Sequence, residues 1–102
     1  MTPSFSNALD AFVYHAQKTI DEYYGSSFPA LTCPKLSIEE GKRYIRLVKF
    51  DGVSRSAYCF VDMTNGDILK AASWKAPAKH ARGNIYNLVG NEVDSHGAMY
   101  LR

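Results

Sequence analysis

The chain has 102 residues, 46% of them hydrophobic and 22% charged, with a net charge of +2. That suits one domain with one core and excludes a disordered, fibrous or polycationic protein. No apolar run reaches membrane-helix length, and the N-terminus lacks the charged and apolar parts of a secretory signal, so the expected setting is the cytoplasm, away from any membrane.

The first element is an amphipathic helix predicted over residues 5–24. Phe5, Leu9, Phe12, Val13, Ala16, Ile20 and Tyr23 recur at steps of three and four and share one face. Ser4 or Ser6 is placed to cap its start, and Gly25 to end it. A loop with two prolines follows over residues 26–34.

The period then changes to two, and strands are predicted within about residues 36–72. Leu36 and Ile38 alternate with polar neighbours, Gly41 supplies a turn, and Arg43–Phe50 forms a longer strand. Asp51-Gly52 and Asn65-Gly66 are hairpin signals, the second read as a turn with positive φ at both central residues. They bracket strands Ser56–Asp62 and Ile68–Ala72. The expected fold is α+β, one N-terminal helix packed on a three- to four-stranded antiparallel meander, all in a single domain of residues 1–102. Ile45 and Leu47 fall on one face of their strand, with Tyr44, Arg46 and Val48 on the other. Apolar side chains on both faces call for a second cover, from the C-terminal segment or from another copy in a homo-oligomer.

Residues 73–84 read as neither helix nor strand beyond one helical turn opening at Pro77. Residues 85–102 form a C-terminal segment in which Ile85–Val89 re-enters the core and Met99, Tyr100 and Leu101 add an edge strand. Cys33 and Cys59 form no Cys-x-x-Cys pair and are expected to be reduced thiols.

Charge is unevenly spread. Residues 1–34 carry −2, residues 35–67 carry +1 and residues 68–102 carry +3. Lys70, Lys75, Lys79 and Arg82 occur with no acid anywhere from Ile68 to Asn91. Such polarity points to an anionic partner. In the basic motif, Lys75, Lys79 and Arg82 supply cations, and Arg82 can grip phosphate with two prongs. Gly83 allows close backbone approach, Ser73 and Asn84 offer neutral hydrogen bonds, and His80 would report pH near neutrality. Trp74 either closes the core at the strand end or, like Tyr86, stacks on a base. The cations on the strands, Lys42, Arg43, Arg46, Lys49 and Arg55, either extend this surface or, as is more usual for alternating strand charge, serve solubility, with Glu39, Glu40 and Asp51 offsetting part of them.

The run from Ala71 to Ile85, with Ser-Trp-Lys-Ala-Pro-Ala-Lys-His-Ala-Arg-Gly-Asn at residues 73–84, resembles the signature of small uncharacterised proteins of tailed bacteriophages and prophages. The resemblance covers residues 43–87 and implies a phage origin and action in a bacterial cytoplasm.

No phosphate loop, nucleophile elbow or metal-ligand spacing is present, so neither catalysis nor a cofactor is expected. The one catalytic exception is nuclease-like acid and base work by His80 and His96 with Lys79. Three functions fit: a nucleic-acid binder using the basic motif, an anti-defence sponge for a cyclic or modified nucleotide signal, and an inhibitor of a host protein. The last would anchor on Tyr23, Tyr24, Phe28 and Tyr58.

Overall fold

The computed structural model describes residues 2–90 and 92–98. Its first element, α1, runs Pro3–Ser27. Thr2, rather than Ser4 or Ser6, is the cap: its hydroxyl accepts from the Phe5 amide at 3.2 Å. Pro3 occupies the first helical position, where its fixed φ is helical and no N–H is required. Gly25 lies inside the helix instead of ending it. The last turn is held by rings: Tyr23, Tyr24 and Phe28 meet at centroid distances of 5.6–5.7 Å, and His96 lies 5.7 Å from Tyr23. Termination comes at Phe28, whose amide donates to Tyr24 O at 2.9 Å just before Pro29.

Five strands form one antiparallel meander in the order of the sequence: β1 (Lys35–Glu40), β2 (Tyr44–Phe50), β3 (Arg55–Asp62), β4 (Asp67–Ala71) and β5 (Pro77–Asn84). A two-stranded ribbon, β6 (Val93–Asp94) with β7 (Gly97–Ala98), follows. The α+β expectation is met with one more sheet strand than the largest number expected. Residues 77–84, where a helical turn was expected, are that strand. Strand β4 would otherwise leave its ladder of N–H and C=O groups open, and Pro77 tolerates the edge position because it has no N–H to donate.

The core lies between α1 and the sheet. Phe5, Leu9, Phe12, Ala16 and Ile20 from the helix meet Ile45, Leu47, Cys59, Val61 and Ile68, all buried. Burying each large side chain contributes roughly 1.5–3 kcal/mol. Gln17 ties helix to sheet edge: its side-chain amide donates to Pro34 O at 2.9 Å and accepts from Leu36 N at 2.8 Å.

Both glycine turns join hairpins, each with a correction of detail. Asp51 closes the β2–β3 loop by accepting from the amides of Val53 and Ser54. In the β3–β4 turn only Gly66 takes positive φ, at 82°, because Asn65 belongs to a longer turn closed from Gly66 N to Asp62 O.

Tyr58 is an extra residue in the β2–β3 ladder, since Leu47 faces Cys59 while Val48 faces Ala57. The bulge sends Tyr58 into the core, where its hydroxyl donates to Asp94 O. That bond, with Lys49 Nζ donating to Ser95 O at 3.3 Å, pins the ribbon to the helix side of the sheet. Gly97, at φ 138°, passes so close to Tyr58 that a Cβ would sit 2.4 Å from the Tyr58 carbonyl oxygen. The C-terminal ribbon therefore does not cover the second face of the sheet. The expected edge strand at Met99, Tyr100 and Leu101 lies outside the described residues.

Candidate functional site on the outer sheet face

Strand alternation puts Tyr44, Arg46 and Val48 of β2 on the face away from α1, beside Glu39 of β1 and Phe60 of β3. Leu69 of β4 lies directly opposite Phe60. Val48, Phe60 and Leu69 are buried although no helix lies over them. The β4–β5 turn reaches Arg46 on this face. That turn is closed by the amides of Ala72 and Ser73 donating to Ala76 O, while Ser73 Oγ accepts from Lys75 N at 3.3 Å.

The turn presents Trp74, about 36% exposed, to the outer face. Arg46 lies over it, with its guanidinium carbon 4.0 Å from the ring centroid and Nη1 donating to Trp74 O at 3.0 Å. The Arg55 guanidinium carbon is 5.3 Å from the same ring. Glu39 clamps both arginines at 2.6 Å, one on each carboxylate oxygen. Those hydrogen bonds, first from Arg46 and then from Arg55, hold the Glu39 carboxyl below its ordinary range. Trp74 is thus neither a core plug nor an open platform. One of its faces already carries a cation.

Next to this stack are two open concavities that share Arg43 and Tyr44. The first, about 340 Å³, is lined by Glu39, Glu40, Lys42, Arg46, Phe60 and Lys75 as well as the shared pair. The second, about 380 Å³, adds Asp62, Asn65, Asp67, Leu69, Pro77 and Lys79. Tyr44 stands edge-on to Phe60, with centroids 6.3 Å apart. Arg43 is anchored through Nε and Nη2 to one oxygen of Asp62, at 3.2 and 3.1 Å. Burial alone pushes the Asp62 carboxyl up, but hydrogen bonds from Thr64 and Arg43 outweigh it and hold the group below its ordinary value. Lys42, Lys75 and Lys79 on the rims make no ion pair among the described residues.

The basic motif is divided between roles. Lys75 and Lys79 face the two concavities, and His80 is exposed on β5. Arg82 is half-buried and donates through Nη1 to His80 O. Gly83 packs against buried Glu92, with a Cβ position only 2.4 Å from Glu92 Cγ. The Asn84 side chain ties β5 to the β3–β4 turn, donating to Asn65 O at 2.8 Å and to Asp67 at 3.1 Å. Tyr86 lies over Gly66 and edge-on to Phe5 on the helix side, so it is not brought together with Trp74.

Tyr44, Phe60 and Asp67 are not singled out as site residues by the sequence, and Arg43 enters there only as one of the strand cations that could extend the surface. Their signal was the two-residue alternation that aligns Tyr44 and Arg46, but the partner of Arg46 is Trp74, 28 residues away. Of the aromatic residues expected to form a protein-binding anchor, Tyr23, Tyr24 and Phe28 cluster at the end of α1, whereas Tyr58 is buried in the core. Among the described residues no three metal-binding side chains converge, and no helix is long and apolar enough to cross a membrane.

The profile of a Family of unknown function (DUF7717) matches residues 6–98, which include all but the first three residues of the helix, the whole sheet and both concavities. No curated protein and no solved structure gives a significant match.

Proposed function

The chain belongs to this family of unknown function, and from the geometry of its outer sheet face we propose that it binds single-stranded nucleic acid. One observation carries the reading. Tyr44 lines both of two concavities that are also lined by Lys42, Lys75 and Lys79, none in an ion pair among the described residues. Single strands are held by aromatic stacking combined with a cationic track for the backbone. Here Tyr44 offers the ring, and Lys75, Lys79 and Arg43 offer phosphate contacts. Trp74 keeps Arg46 stacked and oriented. The resemblance to small phage and prophage proteins supports a bacterial cytoplasm as the place of action, on phage or host nucleic acid.

Fluorescence anisotropy with labelled single-stranded RNA, single-stranded DNA and duplex DNA tests this. Binding should favour the single strands and weaken steeply between about 50 and 200 mM salt as counterions are released. Equal weak binding to all three, or none, removes the reading.

The volumes of the concavities support a second reading, a sponge that sequesters a small nucleotide signal, since they fall at the lower end of the roughly 300–1,000 Å³ typical of ligand pockets. A thermal-shift screen would then show one nucleotide raising Tm strongly while oligonucleotides do not.

A further inference from the structure

The two concavities are adjacent and similar in size, and Arg43 and Tyr44 line both. We infer that the recognised unit is two consecutive nucleotides, one in each concavity, astride Tyr44 and with the linking phosphate on Arg43. This rests on the nucleic-acid reading above and adds a footprint and a base preference to it.

Arg43 suits the central position. Asp62 occupies Nε and Nη2 and so fixes the direction of the guanidinium, while Nη1 has no partner among the described residues. The Arg43 guanidinium carbon is 5.2 Å from the centroid of the Tyr44 ring that it overlies, so a phosphate held there would lie beside that ring, between the two concavities that both residues line. Lys75 lines the first concavity and Lys79 the second, which gives each outer phosphate of such a unit one cation.

The acids within a cationic surface also acquire a role. In the second concavity Asp67 uses one oxygen to accept from Asn84, the other has no hydrogen-bond partner among the described residues, and Leu69 with Pro77 provides an apolar wall. A carboxylate beside an apolar wall accepts a hydrogen bond from an exocyclic amino group, as Asp does from cytosine N4. Uracil presents a carbonyl at that position and would be repelled. The second concavity therefore selects an amino-bearing base.

Competition against a labelled oligocytidylate, with CpC, CMP and UpU as competitors, reads both parts. CpC should displace the probe at least tenfold better than CMP, and about tenfold better than UpU. Asp67→Asn, which is compatible with the Asn84 contact, should erase the CpC-over-UpU preference without lowering Tm. If the probe binds but CpC competes no better than CMP, the two-nucleotide footprint is wrong and the nucleic-acid reading stands. A cytosine preference that survives in Asp67→Asn overturns the role of Asp67. If the probe does not bind at all, both readings fall.

Discussion

Arg46 and Trp74 are 28 residues apart in the chain, yet the guanidinium carbon sits over the indole, 4.0 Å from its centroid, and Nη1 donates to the Trp74 backbone carbonyl. This contact fastens the β4–β5 turn to the outer face, on which Val48, Phe60 and Leu69 are buried. Trp74 is the only tryptophan, so its emission reports on this one contact. Arg46→Ala should shift that emission to the red and cost about 1 kcal/mol in urea unfolding, the sum of an exposed cation–π contact and a surface ion pair. Unchanged emission would mean that the stack does not form in solution.

Lys75 and Lys79 are exposed and unpaired among the described residues, so removing them should spare the fold. Each of Lys75→Ala and Lys79→Ala should weaken oligonucleotide binding and lower the slope of log K against log salt by about 1. Salt titrations of both variants, alongside thermal melts, check this. An unchanged slope in the double variant would take the phosphate track off this face.

Phe12 is fully buried at the centre of the helix–sheet core. Phe12→Ala should cost about 3–5 kcal/mol, because a large cavity opens where the strands cannot close in. Chemical denaturation gives the value directly. A loss below about 1 kcal/mol would show that α1 is not packed on the sheet as described.

Asp62 sets part of the acid limit of stability. Folding lowers its pKa from the ordinary 3.8, so the folded state favours the carboxylate. Its contribution is complete above that ordinary value and is lost as pH falls through the lowered folded one. Asp62→Asn should therefore be less stable at neutral pH, where Arg43 loses its anchor, and should lose less stability on acidification below about pH 4. Asp21, Glu39 and Asp51 have pKa values lowered in the same sense, so the variant should retain a shallower acid transition. Parallel curves for the two proteins across that range would contradict the assignment.

Cys59 is fully buried, and burial pushes its thiol far above the ordinary range. Cys33 is half-buried and gives its thiol hydrogen to Asp21 at 3.0 Å. A thiol-reactive probe should modify Cys33 slowly in the folded protein and Cys59 only after unfolding. Rapid modification of both would mean that the core opens readily.

What the sequence determined alone was local. The helix, the alternation of β2 and the glycine hairpins depend on residues three or four apart, on neighbouring residues two apart, or on a backbone angle that glycine tolerates. Each can be seen in a short window. The start of α1 was misplaced by two or more residues because Pro3, not a serine, marks the first turn. Only the tertiary structure decided the state of Pro77–Asn84. A weakly patterned cationic segment became a strand because the adjacent edge of β4 needed a hydrogen-bonding partner. The same holds for the site. Glu39, Arg46, Arg55 and Trp74 come from three strands and a turn, and their convergence depends on sheet register, which is set by the whole core and by the bulge at Tyr58.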